Sequence, residues 1–108
     1  MKRYVVSVMP SANRDIAEII RYISDDLSNK TVASEHLRMY GESLKLLKQM
    51  PTRNLVSSMP TLSSRGIRLL HFGNYALAYK VFDEKSLVEV YGVLYSGSDI
   101  NGRFSEND

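Results

Sequence analysis

Gly73-Asn74 is the pair that most limits what this chain can fold into. Both residues tolerate positive φ, and two-residue loops of that kind close tight β-hairpins. Strand-like runs stand on either side, at about 66–72 and 75–82. A third, about 87–95, follows a second short turn at Asp83-Glu84-Lys85-Ser86. Such short connections predict an antiparallel meander. In the middle run Tyr75, Leu77, Tyr79 and Val81 share one face, opposite Ala76, Ala78, Lys80 and Phe82. In the last run Val88, Val90 and Leu94 oppose Glu89, Tyr91, Val93 and Tyr95.

Upstream, the β-branched and aromatic residues of 3–9 read as a short, largely buried strand. Pro10-Ser11 turns the chain, with Ser11 as a candidate N-cap. Ala12, Ile16, Ile19, Ile20, Ile23 and Leu27 then make one apolar helical stripe, which Ser28-Asn29 ends. A second stripe, Ala33, Leu37, Tyr40, Leu44 and Leu47, runs from about Thr31 to Met50. Pro51 stops it, because proline disfavours a helical residue before it. Two amphipathic helices with so short a link pack as an antiparallel hairpin. Residues 52–64 show no period and read as a long loop.

The order is therefore β-α-α-β-β-β: an α+β fold with a helical hairpin packed on a small, mainly antiparallel twisted sheet. One sheet face covers the helices. The other, partly apolar and rich in tyrosine, is expected to meet a partner rather than water alone. Residues 1–95 form a single domain, and 96–108 a polar, flexible tail.

At 108 residues the chain can bury one modest core. No run approaches the roughly 18 apolar residues of a membrane span. The N-terminal apolar run is broken by Ser7 and Pro10 and is no signal peptide. There is no cysteine, so disulfides, thiolate metal sites and a cysteine nucleophile are excluded, which fits a reducing cytoplasm. Net charge is only +2, less than a strong nucleic-acid binder usually carries.

Chemistry has few places to live. The two histidines are His36, mid-helix, and His71, in the strand before the hairpin on the face of Ile67 and Leu69. His71 could serve as a general base or simply fill its place in the sheet. Histidine pairs at metal spacing are missing, so no metal or cofactor is expected. Arg65 and Arg68 near the first hairpin strand could clamp a phosphate, or Arg68 could pair with an acidic neighbour such as Glu89. Tyr40, Tyr75, Leu77, Tyr79 and Tyr91 are candidates for a partner-binding surface, since aromatics are enriched at interface cores. Each tyrosine could equally be core with its hydroxyl at the rim.

The ordered set of pieces resembles the RelE/ParE superfamily of toxins from bacterial type II toxin–antitoxin systems. These pieces are Tyr4-Val5-Val6-Ser7-Val8, Ala12, Asp15-Ile16, Ile19, Tyr22-Ile23, Pro51, Gly66-Ile67-Arg68-Leu69, Asn74-Tyr75, Tyr79, Val93-Leu94-Tyr95 and Asp99. The resemblance implies a cytoplasmic growth-inhibiting toxin wrapped by a cognate antitoxin, with a homodimer or a heterotetramer as possible assemblies. It leaves two targets open. RelE-like members are ribosome-dependent, metal-free mRNA endonucleases, and the resemblance would give Arg68, Tyr95, Arg65 and His71 catalytic parts. ParE-like members are associated with inhibition of DNA gyrase and lack that constellation. This chain has Ala76 where nucleases often carry arginine, and Gly97-Ser98 where basic residues are common. A phenol at Tyr95 is a poor base without cations beside it. The resemblance therefore points to the ParE-like branch, with a catalytically degenerate member as a further reading.

Overall fold

The computed structural model describes residues 2–98 and 100–105. Its elements are β1 (Val5–Val8), α1 (Pro10–Arg21), a wide π turn (Tyr22–Asp26), α2 (Lys30–Gln49), α3 (Pro60–Ser64), β2 (Arg68–Phe72), β3 (Tyr75–Phe82), a 3₁₀ turn (Asp83–Lys85), β4 (Leu87–Tyr95) and α4 (Ile100–Ser105). The four strands form one sheet in the order β1-β4-β3-β2. β1 runs parallel to β4, and the meander β2-β3-β4 is antiparallel.

The predicted hairpin closes at Gly73, whose φ is +56°, and sets Phe72 opposite Tyr75. Only a residue at ease with that φ permits so short a turn. Pro10 opens α1, where its missing N–H costs nothing. Met9, not Ser11, is the N-cap, and Ser11 Oγ instead donates to the Tyr91 carbonyl at 2.6 Å. Asn29 caps α2 by accepting from Val32 N at 3.1 Å.

Two apolar clusters sandwich the sheet. On the face toward α1 and α2, Ala12, Ile16, Tyr40 and Leu47 meet Phe72, Leu77, Tyr79, Val88, Val90 and Val93. On the opposite face Leu62 of α3 and Ile100 of α4 cover Ile67, Ala76, Ala78 and Leu94. That second face was expected to stay open to a partner, but its centre is sealed by the chain itself. The loop at 52–64 contains α3, and the expected loose tail contains α4. Each apolar side chain so buried contributes about 1.5–3 kcal/mol toward holding a short helix over the small alanines.

Two irregularities shift phases that ideal periodicity could not predict. The π turn adds a residue to the helix, so Leu27 falls off the stripe and is exposed. On β4, Ala78 opposes Gly92 and Tyr79 opposes Val90, leaving Tyr91 as an extra residue. This β-bulge reverses the alternation beyond it. Val93 joins Val88 and Val90 on the helix side, and Leu94 points to the other face. In α2, Leu37 is likewise exposed, and Ser43 enters the buried stripe with its hydroxyl on the Met39 carbonyl.

Candidate functional site

Aromatic side chains gather at the hairpin end of the sheet. Tyr75 and Tyr95 are cross-strand neighbours with ring centroids 5.9 Å apart, edge to face. His36 of α2 meets Tyr75 at 5.7 Å, and Phe72 follows at 6.2 Å. Burial, with the phenols of Tyr22 and Tyr95 beside it, pushes the Tyr75 phenol up. Tyr22 and Tyr95 are themselves exposed. The result is a half-wet aromatic platform bridging the helical hairpin and the sheet, amphipathic in the way interface tyrosines are.

The opposite end is tied by polar contacts. Tyr79 donates its hydroxyl to the Pro51 carbonyl at 2.6 Å and accepts from Asn54 Nδ2 at 3.3 Å. Arg68 Nη1 donates to the Asn54 carbonyl at 2.5 Å. Burial raises the Tyr79 phenol, and Asn54 and Arg68 partly offset the rise. Arg68 thus braces a loop; the alternative, an ion pair with Glu89, is not seen among the described residues, where Glu89 accepts the Tyr91 hydroxyl at 2.7 Å.

The four residues proposed for catalysis are not brought together. Arg68 pairs with Tyr79, whereas Tyr95 pairs with Tyr75 at the other end. Four strand residues separate these positions, roughly 13 Å at about 3.3 Å per residue. His71 lies near the Tyr95 end, with Nδ1 3.4 Å from Ser96 Oγ, but it opposes Ala76 and so belongs to the other sheet face. Arg65, following α3, feels Tyr91 across the second cluster.

The five surface candidates divide. Leu77 and Tyr79 are wholly buried and Tyr40 almost so, which removes them from any surface. Alternation placed them on one face correctly but could not say that α1 and α2 cover it. Tyr40 carries a buried hydroxyl that finds no partner among the described residues, and burial, with Asp15 nearby, pushes its phenol up. Tyr91 is half-buried, its phenol raised well beyond the ordinary range by burial and the Glu89 bond. Tyr75, also half-buried, is the candidate that lies on the aromatic platform. Tyr22 and His36 were missed as members of that platform. Their signal was only that one sits near the end of the first stripe and the other one turn before Tyr40.

β1 pairs with β4 only as far as Val90, and beyond it the edge is closed by side chains. Asp15 Oδ2 accepts from Val93 N at 3.0 Å and from Arg103 Nη2 at 2.7 Å. Gly92 makes room, because a Cβ there would stand 3.0 Å from Arg103 Nη2 and 3.1 Å from Asp15 Oδ2. Asp99, part of the motif set, lies outside the described residues. Among the described residues no three acidic or histidine side chains are placed to hold a metal, and no helix is long and apolar enough to cross a membrane.

Known proteins share this architecture. A chain of the chromosomal ParDE TA system from P. aeruginosa superposes with a TM-score of 0.68 at 15% identity, over 88% of this chain and 98% of that one. A chain of the RelBE2 toxin–antitoxin complex from Mycobacterium tuberculosis gives 0.55 at 21%, over 86% and 98%. A variant of E. coli RelE in the free state gives 0.57 at 19%, over 96% and 95%. At such identities the likeness is one of fold. No curated protein matches the sequence significantly. The family profile for the ParE toxin of type II toxin–antitoxin systems, parDE, matches residues 6–100, and the chain belongs to that family.

Proposed function

We propose that this chain is the toxin of a two-protein module, held silent in the cytoplasm by a cognate antitoxin, and that it acts by binding and inhibiting DNA gyrase rather than by cutting RNA. The observation that carries the choice is the distance between Arg68 and Tyr95. A metal-free nuclease must hold the scissile phosphate and move its protons within hydrogen-bond reach of one another. Here the arginine is committed to the Asn54 carbonyl and the tyrosine stands at the far end of the meander. The exposed aromatic platform, by contrast, suits a binding surface. One structural neighbour was solved as a toxin–antitoxin complex, which supports a protein partner.

Expression of the chain alone should make cells filament with an induced SOS response, and purified protein should inhibit gyrase supercoiling at micromolar levels. Unchanged gyrase activity at those levels removes the reading. Arrested translation with cleaved messages, abolished by Arg68→Ala and Tyr95→Phe, would put the nuclease in its place.

A further inference from the structure

β1 ends the sheet, with β4 on its inner side and, among the described residues, no strand on its outer one. Val5 N donates to the Ser86 carbonyl and Met9 N to the Val90 carbonyl, both at 2.9 Å, so the odd-numbered residues bond inward. The even-numbered residues therefore point outward. Tyr4 N does so, and donates to the Lys48 carbonyl near the end of α2 at 2.9 Å. That leaves Val6 and Val8, each with an outward N–H and C=O that no other described residue meets.

The side chains alternate as well. Val6 and Val8 pack on the helix side of the sheet. Val5 and Ser7 point to the opposite face, where Val5 ends an apolar row that runs from Phe82 through Leu87. Val5 is 68% exposed. Strand edges that stay in water usually carry a charge or a proline that repels a further strand. Val5–Val8 carries neither. The length of the open stretch narrows what can pair with it. Lys48 closes it at Tyr4, and Pro10, with no N–H to give, closes it after Met9. An unrelated extended segment would fit only if it also stopped within a few residues at both ends. β1 itself does, and its two outward residues stand symmetrically about Ser7.

We propose that this edge pairs with β1 of a second copy of the chain, antiparallel about a two-fold axis at Ser7. Val6 of each copy stands opposite Val8 of the other, and each such pair exchanges both of its backbone hydrogen bonds. Ser7 faces Ser7 across the axis. Val5 gains Met9 of the second copy as its cross-strand neighbour, which extends the apolar row. The contact is self-complementary, as a two-fold interface must be, and it joins two four-stranded sheets into one. The inference does not rest on the toxin reading.

The chain has no cysteine, so introduced thiols report cleanly. Ser7→Cys sets two thiols across the axis with Cα atoms about 4.5 Å apart, within the span of about 4.4–6.8 Å that a disulfide bridges. Oxidation of the purified protein with diamide should link it into a dimer on a non-reducing gel. Val5→Cys is the more exposed position. It lies roughly 14 Å from its own symmetry mate and should stay unlinked. Light scattering over a concentration series should show wild type rising to twice the monomer mass. Ser7→Lys should stay monomeric with its melting temperature kept, because the lysine faces Glu89 in its own sheet but a like charge across the axis. Wild type that remains monomeric throughout, Val5→Cys that links as readily as Ser7→Cys, or Ser7→Lys that still dimerises overturns the proposal. So does Ser7→Cys that links only to a different protein.

Discussion

At the Gly73 end of the sheet, Tyr75 lies edge to face against Tyr95 of the next strand and against His36 of the helical hairpin, with Tyr95 exposed. At the Arg68 end, a buried tyrosine and an arginine hold backbone carbonyls of a loop. The first end is a surface made by packing, and the second is a surface made by bracing. Packing of rings leaves area that a partner can cover. Bracing presents a loop already ordered, so a partner would not pay the entropy of ordering it. The same strand, β3, serves both. Tyr75 and Tyr79 point to one side, one turn of chemistry being decided by whether the hydroxyl meets solvent or a carbonyl.

The sharpest way to break this comparison is Tyr79→Ala. Loss of a fully buried ring should cost about 3–5 kcal/mol in chemical denaturation. Tyr79→Phe, which removes only the two hydroxyl contacts, should cost about 1–2 kcal/mol. Faster amide exchange in residues 51–57, with the Tyr75–Tyr95 end unchanged, would confirm the division. Uniform loosening of both ends would dissolve it.

Alkaline titration gives a middle-sized effect. Burial holds the phenols of Tyr40, Tyr75, Tyr79 and Tyr91 above their ordinary value. The folded state therefore binds these protons more tightly than the unfolded chain. Their contribution is intact below about pH 10 and is lost as pH rises through the folded values. Melting temperature should decline above about pH 10, with phenolate absorbance appearing as the protein unfolds. Tyr79→Phe should flatten the decline, and an unaltered slope would mean that the bracing tyrosine is not part of it. The smallest effect is expected at Tyr95→Ala, a residue that is 56% exposed: stability should move by about 0.5 kcal/mol or less. A loss of gyrase inhibition without a change in melting would assign the aromatic end to the target.

Much of the frame was legible beforehand. The hairpin at Gly73-Asn74, the limits of β3 and β4 and the end of α2 at Pro51 follow from φ preferences, alternation and the loss of backbone donors. These are local properties, carried by a few consecutive residues. The π turn and the bulge at Tyr91 were not legible, because each is one extra residue whose place depends on what packs against it. Nor was the site. The resemblance to nuclease members would put Arg68 and Tyr95 in one site, yet strand register sets them at opposite ends of β3.

By itself the sequence determined which residues share a face and where the chain must turn, since alternation and dihedral preference act between neighbours. Only the tertiary structure decided which faces stay wet. Leu62 and Ile100 lie far apart in the chain, and their closing over Ala76 and Ala78 turns an expected binding face into core. That choice belongs to distant contacts, through which the apolar side chains of two short helices leave water for the sheet.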